Sequence, residues 1–131
     1  MIVALLLFSC ASDEEKTPSV EVELANRAFD LSEEVKESFL KGDTGSLKRL
    51  CSEALYNKLS SKMNELSGWK FDFKMRWVDI DEEGTIHMYI AWNRDSDREE
   101  ENIETSGLAL FVIKGDPLIV DRIMRENPFL L

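Results

Sequence analysis

Apolar and polar residues alternate strictly over residues 70–77: Phe71, Phe73, Met75 and Trp77 are separated by Lys70, Asp72, Lys74 and Arg76. A period of two marks a strand with one buried face. Ile86, Met88, Ile90 and Trp92 repeat the pattern, alternating with Thr85, His87, Tyr89 and Ala91. Between the runs lies Asp81-Glu82-Glu83-Gly84, a polar connection ending in glycine. It suits a hairpin whose last turn residue takes a positive φ. The pattern predicts two antiparallel strands presenting a row of large apolar side chains that another layer must cover.

Upstream the period changes to that of a helix. Leu24, Ala28, Leu31, Val35 and Phe39 recur at steps of three and four, with Ala25 and Phe29 widening the stripe and Glu21, Glu23, Glu33, Glu34 and Glu37 on the opposite side. This predicts a long amphipathic helix. Thr17-Pro18 provides a cap and a first-turn proline, and Gly42 ends it. Asp43 or Thr44 then caps a short second helix through Leu47 and Leu50. Ser52 caps a third, with Leu55, Tyr56, Leu59, Met63 and Leu66 inward, and Ser67-Gly68 breaks it.

Downstream, residues 102–114 read as a third strand whose second half, 108–113, is apolar at every position. Such a run implies burial on both faces or a central place in the sheet. Gly107 marks a bend or bulge. Gly115-Asp116-Pro117 is a turn, residues 118–124 a fourth strand, and Arg125-Glu126-Asn127-Pro128 its stop. Phe129, Leu130 and Leu131 remain as an apolar tail. Helices segregated before an antiparallel meander give an α+β fold: long helix, short helix and helix packed on a curved four-stranded sheet. The sheet must curl round the first helix to bury both apolar sets. The expected core is Phe29, Leu31, Val35, Phe39, Phe73, Met75, Trp77, Met88, Ile90, Leu110 and Val112.

The 131 residues suit one domain. Acidic residues outnumber basic ones 26 to 16, a formal net charge of −10. With no basic patch to release counterions, this argues against nucleic-acid binding. Residues 2–8 (IVALLLF) are continuously apolar, of the length of a secretory signal core and too short for a bilayer span. The LFSC-AS that follows resembles the lipobox of bacterial lipoproteins. The resemblance implies a signal peptide over 1–9, cleavage before Cys10, lipidation of Cys10, a polar tether over 10–17 and a single domain over 18–131. It also implies an address in the bacterial cell envelope, on the outside of the cytoplasmic membrane or on the outer membrane. With Cys10 lipidated, Cys51 has no intrachain disulfide partner, and its place on a helical pattern makes it a small buried apolar residue.

The order of elements, with Gly42-Asp43 stepping from the long helix into a short one bearing Leu47 and Leu50, resembles the nuclear-transport-factor-2-like superfamily, also called SnoaL-like or cystatin-like cone folds. The resemblance covers residues 18–124. Several families of small bacterial lipoproteins of unknown function look similar. Enzymes of the superfamily place an Asp base with Tyr or Asp donors inside the cone. No such set aligns here, since Asp72, Arg76, His87 and Tyr89 alternate with the apolar face and so point away from the helices. Asp79, Asp81, Glu83 and Gly84 imitate the start of a calcium loop, but Ile90 stands where its last ligand should be. A lone histidine makes no zinc site. No metal, cofactor or catalytic residue is therefore assigned.

These features predict a lipid-anchored, non-catalytic envelope domain that binds a protein partner or a small apolar ligand. The alternative is a cone-fold enzyme of isomerase or hydrolase type with a polar cavity. An interior filled by Phe, Met and Trp favours the binder; converging carboxylates with a Tyr or His donor favour the enzyme. Any pocket at the concave mouth is expected around Trp77, Met88, Tyr89 and Trp92. Arg76 and Arg94 are the nearest cations that would orient an acidic group at its rim. If the cone is filled instead, the binding surface falls on the outer sheet face around Lys70, Asp72, Lys74, His87 and Tyr89. The sequence carries no signal for oligomeric state.

Overall fold

The computed structural model describes residues 20–66, 68–96 and 104–130. The signal segment, Cys10, the tether and the Thr17-Pro18 helix start lie outside these residues, as do Ser67 and Leu131. The chain runs α1 (Val20–Lys41), α2 (Thr44–Leu50), α3 (Glu53–Ser60), a 3-10 turn (Met63–Leu66), β1 (Lys70–Ile80), β2 (Ile86–Asp95), β3 (Glu104–Lys114) and β4 (Ile119–Arg125). The strands lie side by side in sequence order, each antiparallel to its neighbour. The architecture is α+β, with the N-terminal helices packed on a curved sheet.

Local signals place the helix ends. Gly42, at φ +73°, ends α1 in the left-handed region. Its amide donates to the Phe39 carbonyl at 3.3 Å and the Asp43 amide to that of Ser38 at 2.9 Å, so two terminal carbonyls are satisfied. The Asp43 carboxylate accepts from the Ser46 hydroxyl at 2.8 Å and the Ser46 amide at 3.1 Å, capping α2. Those two bonds hold the Asp43 carboxyl below its ordinary pKa. Ser52 caps α3 by accepting from the Leu55 amide at 3.2 Å. It also ties the helices to the sheet: its hydroxyl donates to the Asp121 carbonyl at 2.6 Å and its amide to that of Val120 at 2.9 Å. Cys51 bridges to Val120 beside it. The join between α2 and α3 thus covers part of the β4 edge. The β1 edge is blunted differently, by Lys70, Lys74, Arg76 and a bulge, which discourage strand addition.

That bulge is the main departure from the predicted pattern. Pairing runs Phe73 to Trp92 and Met75 to Ile90, then jumps to Trp77 with Tyr89 and Val78 with Met88, leaving Arg76 as the inserted residue. One extra residue exchanges the faces of everything after it. Phe71 and Phe73 are buried, but Met75 is 39% and Trp77 59% exposed, while Val78 and Ile80 pack against the core. Trp77, past the bulge, is therefore corrected from the core to the outer face. Met75, before it and opposite Ile90, keeps the inner parity but stands exposed in the groove beside α1, and is corrected from buried to exposed. Of the other expected core residues, Leu31, Val35, Phe39, Phe73, Met88, Ile90 and Val112 are buried, and Phe29 and Leu110 are half-buried. Along β2 the alternation holds from Ile86 to Asp95. In the hairpin, Asp81 accepts from the Glu83 and Thr85 amides, and Gly84 has φ +86°.

Candidate functional site

The concave side of the sheet is filled rather than hollow around the residues proposed to line a pocket. Met88 is fully buried and Trp92 3% exposed, among Phe73, Ile90, Phe111 and Phe129. Trp92 lies across Gly107, its register partner on β3, and a Cβ at Gly107 would fall 2.5 Å from the indole Cζ2. The Trp92 Nε1–H donates to the Glu126 carbonyl at 2.7 Å, and the Glu126 carboxylate accepts from the Leu108 amide at 2.7 Å. Gly107 therefore admits the ring, and the residues after β4 anchor it.

The same residues carry the chain back into the core. Asn127 accepts from the Phe129 amide at 2.9 Å, forming a tight side-chain turn. Phe129 is fully buried between the C-terminal half of α1 and the start of β1, with ring centroids 4.7 Å from Phe39, 5.6 Å from Phe71 and 6.1 Å from Phe73. The apolar tail thus supplies a core residue.

Arg94 is not at a rim. It is 6% exposed, donating from Nη1 to the Pro128 carbonyl at 2.6 Å and from Nε to the Thr105 hydroxyl at 2.9 Å. Its guanidinium lies 5.2 Å from the Trp69 ring centre and 5.7 Å from that of Trp92. Burial pulls its pKa below the usual guanidinium value. The predicted role for Arg94, orienting an acid at an open mouth, is replaced by a structural one: it ties the C-terminal segment to β2 and β3.

The buried polar and charged side chains among the described residues are Ser32, Ser38, Arg94, Ser96 and Asn127, with no carboxylate. Nor does any group of three or more His, Cys, Asp or Glu side chains stand together for a metal among the described residues. Cys51 is buried and its thiol pushed up to about 12 by desolvation, so it stays protonated and inert.

The outer face of the sheet is where apolar side chains remain in water. Register places Trp77, Tyr89, Leu110 and Met124 in one row across the four strands. Leu108, opposite Ala91, stands beside it. Trp77 is 59%, Met124 45% and Leu108 36% exposed. The Tyr89 ring has Trp77 at 5.8 Å on one side and the Arg125 guanidinium at 5.5 Å on the other. Arg125 itself has φ +64°, the single non-glycine residue at positive φ among those described. That conformation costs about 1–2 kcal/mol for a residue bearing a Cβ. Lys74, Arg76 and Arg122, all exposed, stand around the row.

The structure therefore divides the six predicted pocket residues. Met88, Trp92 and Arg94 are buried; Trp77, Tyr89 and Arg76 lie on the outer face or at the bulge. Leu108, Leu110, Met124 and Arg125 were not anticipated there. Their apolar run reads as burial until register shows which members face out. Compared with known proteins, the chain matches no protein-family model, no curated protein and no solved structure.

Proposed function

We propose that this chain is a lipid-anchored domain of the bacterial cell envelope, held by an acylated Cys10, that binds a protein partner on the outer face of its sheet and performs no catalysis. The observation that carries the binding surface is the exposed apolar row from Trp77 to Met124, bordered by Arg76, Arg122 and Arg125. Aromatic, methionine and arginine side chains are the types enriched in protein interfaces. The opposite face supports a partner over a small ligand, because Met88, Trp92, Phe111 and Phe129 already occupy it. The absence of a carboxylate from the buried polar set described above weighs against proton-transfer chemistry of the cone-fold enzymes. Three helices before a curved four-stranded meander support grouping the domain with the nuclear-transport-factor-2-like cones. The address rests on the LFSC-AS stretch: acylated, the protein would sit on the periplasmic or extracellular side of a membrane.

Two measurements test this. Intact mass of the membrane-extracted protein should show loss of residues 1–9 and a lipid-modified Cys10; an intact Met1 refutes the anchor. A photo-crosslinker at Met124 should give one discrete protein adduct in cells, lost when Leu108→Glu is added, whereas the same crosslinker at Glu34 on α1 should not. Identical adduct patterns from the two positions, or none from Met124, refute the surface.

A further inference from the structure

The exposed apolar side chains are not spread evenly. Val20 is 78%, Val22 49%, Met75 39% and Trp77 59% exposed; these belong either to the first turn of α1 or to the bulge of β1. A groove of about 420 Å³ brings the two places together. Its apolar lining is Val22, Ala25, Met75, Val78 and Ile80, and Glu21 and Asp79 are among its polar members. Trp77 stands next to Val78 on the opposite face of the same edge strand, so β1 presents apolar surface on both sides of its edge. The outer row described above begins at this edge and runs away from it towards β4.

What meets this edge follows from where the chain leaves it. Residues 11–19 separate Cys10 from Val20, and at full extension they span about 30 Å. That is near the diameter of the domain, whose radius of gyration is about 13 Å at this length. An acyl chain on Cys10 therefore holds the start of α1, and β1 beside it, within about 30 Å of the bilayer, and the apolar side chains exposed at that edge give it a reason to be the part that touches. The stretch itself, ASDEEKTPS, offers no large apolar side chain to cover the groove.

We propose that the first turn of α1 and the bulged edge of β1 rest on the interfacial layer of a zwitterionic phospholipid bilayer, with Trp77 at headgroup depth. This proposal rests on the anchoring of Cys10. Tryptophan partitions to that layer because its ring is apolar and its N–H finds acceptors there. Arg76, exposed at the bulge, is placed to meet lipid phosphate. Glu21 and Asp79 in the groove, and the net charge of −10, disfavour an anionic surface. With the edge down, the sheet stands upright on the membrane. Tyr89, Leu108, Leu110 and Met124 then face sideways, open to a protein partner in the same layer.

The test uses the full chain in phosphatidylcholine vesicles whose acyl chains are either ordinary or brominated, since bromine quenches only tryptophan close to the bilayer. Brominated vesicles should remove a share of the tryptophan emission, and Trp77→Phe should abolish that loss, leaving the emission of Trp69 and Trp92 the same in both lipids. The double variant Val20→Asp, Met75→Glu should cut the loss several-fold with unchanged circular dichroism. Equal emission in the two lipids, or quenching that survives Trp77→Phe, overturns the proposal. Stronger quenching on phosphatidylglycerol than on phosphatidylcholine overturns the zwitterionic choice. The anchor is scored separately: where intact mass shows a free Cys10 thiol, the anchoring reading fails. The chain is then coupled through that thiol to a maleimide lipid and read in the same way, so the edge contact stands or falls on its own.

Discussion

Phe73 and Trp77 lie four residues apart on one strand, share the parity of a regular strand, and should respond to truncation by very different amounts. Phe73 is 5% exposed, with ring centroids 5.8 Å from Phe111 and 6.1 Å from Phe129. A buried phenylalanine removes about 150–200 Å² from water, worth about 4–5 kcal/mol at about 25 cal/mol per Å². An alanine methyl keeps roughly a third of that, and the cavity left behind adds to the loss, so Phe73→Ala should cost about 3–5 kcal/mol. Trp77 is 59% exposed. Its covered part, roughly 100 Å², sets an upper bound of about 2.5 kcal/mol. Alanine's own share of that area and the side-chain freedom regained bring the expected cost of Trp77→Ala to about 1 kcal/mol. Guanidinium melts of the two variants at constant slope decide the matter, since an unchanged slope assigns the shift in midpoint to stability. Equal losses for the two would refute the bulge at Arg76 and return Trp77 to the core, and a loss below about 1 kcal/mol for Phe73→Ala would mean that Phe73 itself is not buried.

Phe129→Ala should destabilise by about 3–5 kcal/mol in the same melts, because the ring is fully buried among Phe39, Phe71 and Phe73; a loss under about 1 kcal/mol would mean that the C-terminal segment is only appended. Gly107→Ala should cost about 1–3 kcal/mol, since its Cβ would lie 2.5 Å from the Trp92 ring, which must shift; unchanged stability and Trp92 emission would contradict the close approach. Cys51, with its thiol raised to about 12, should resist iodoacetamide at pH 8 in the folded protein and react on unfolding. Rapid native labelling at Cys51 would show that it is not buried.

Much of the helical layer was legible because its determinants are local. The stripe from Leu24 to Phe39 records a period of 3.6, and the capping bonds of Gly42, Asp43 and Ser52 are made to backbone groups within five residues of themselves. Strand β2 was legible for a similar reason: its alternation is unbroken and one face is buried throughout. The bulge left a trace that the alternation from Phe71 to Trp77 outweighed. Trp77 and Val78 are adjacent apolar residues, and Val78 with Ile80 continues the pattern on the other parity. Two frames of opposite face coexist in β1, and nothing within the strand says where one yields to the other.

The site was less legible still. Leu108, Leu110 and Met124 are apolar like any core residue, and only their pairing with Ala91, Tyr89 and one another places them on the outer face. Arg94 alternates in phase with Trp92 and Ile90, which points a charge inward, where the Pro128 carbonyl and the Thr105 hydroxyl, from other segments of the chain, accept from it.

What the amino-acid order determined by itself was the order of the elements, the caps at Gly42, Asp43 and Ser52, and the α+β class, since each depends on contacts between near neighbours in the chain. The third helix, expected to run through Leu66, instead stops at Ser60 and gives way to a 3-10 turn over Met63–Leu66. Only the tertiary structure decided which face of β1 is buried past Arg76, that Phe129 fills the space between α1 and the sheet, and that an apolar row remains exposed across four strands. Those outcomes depend on register and on competition for a shared interior, and both are settled between segments far apart in sequence.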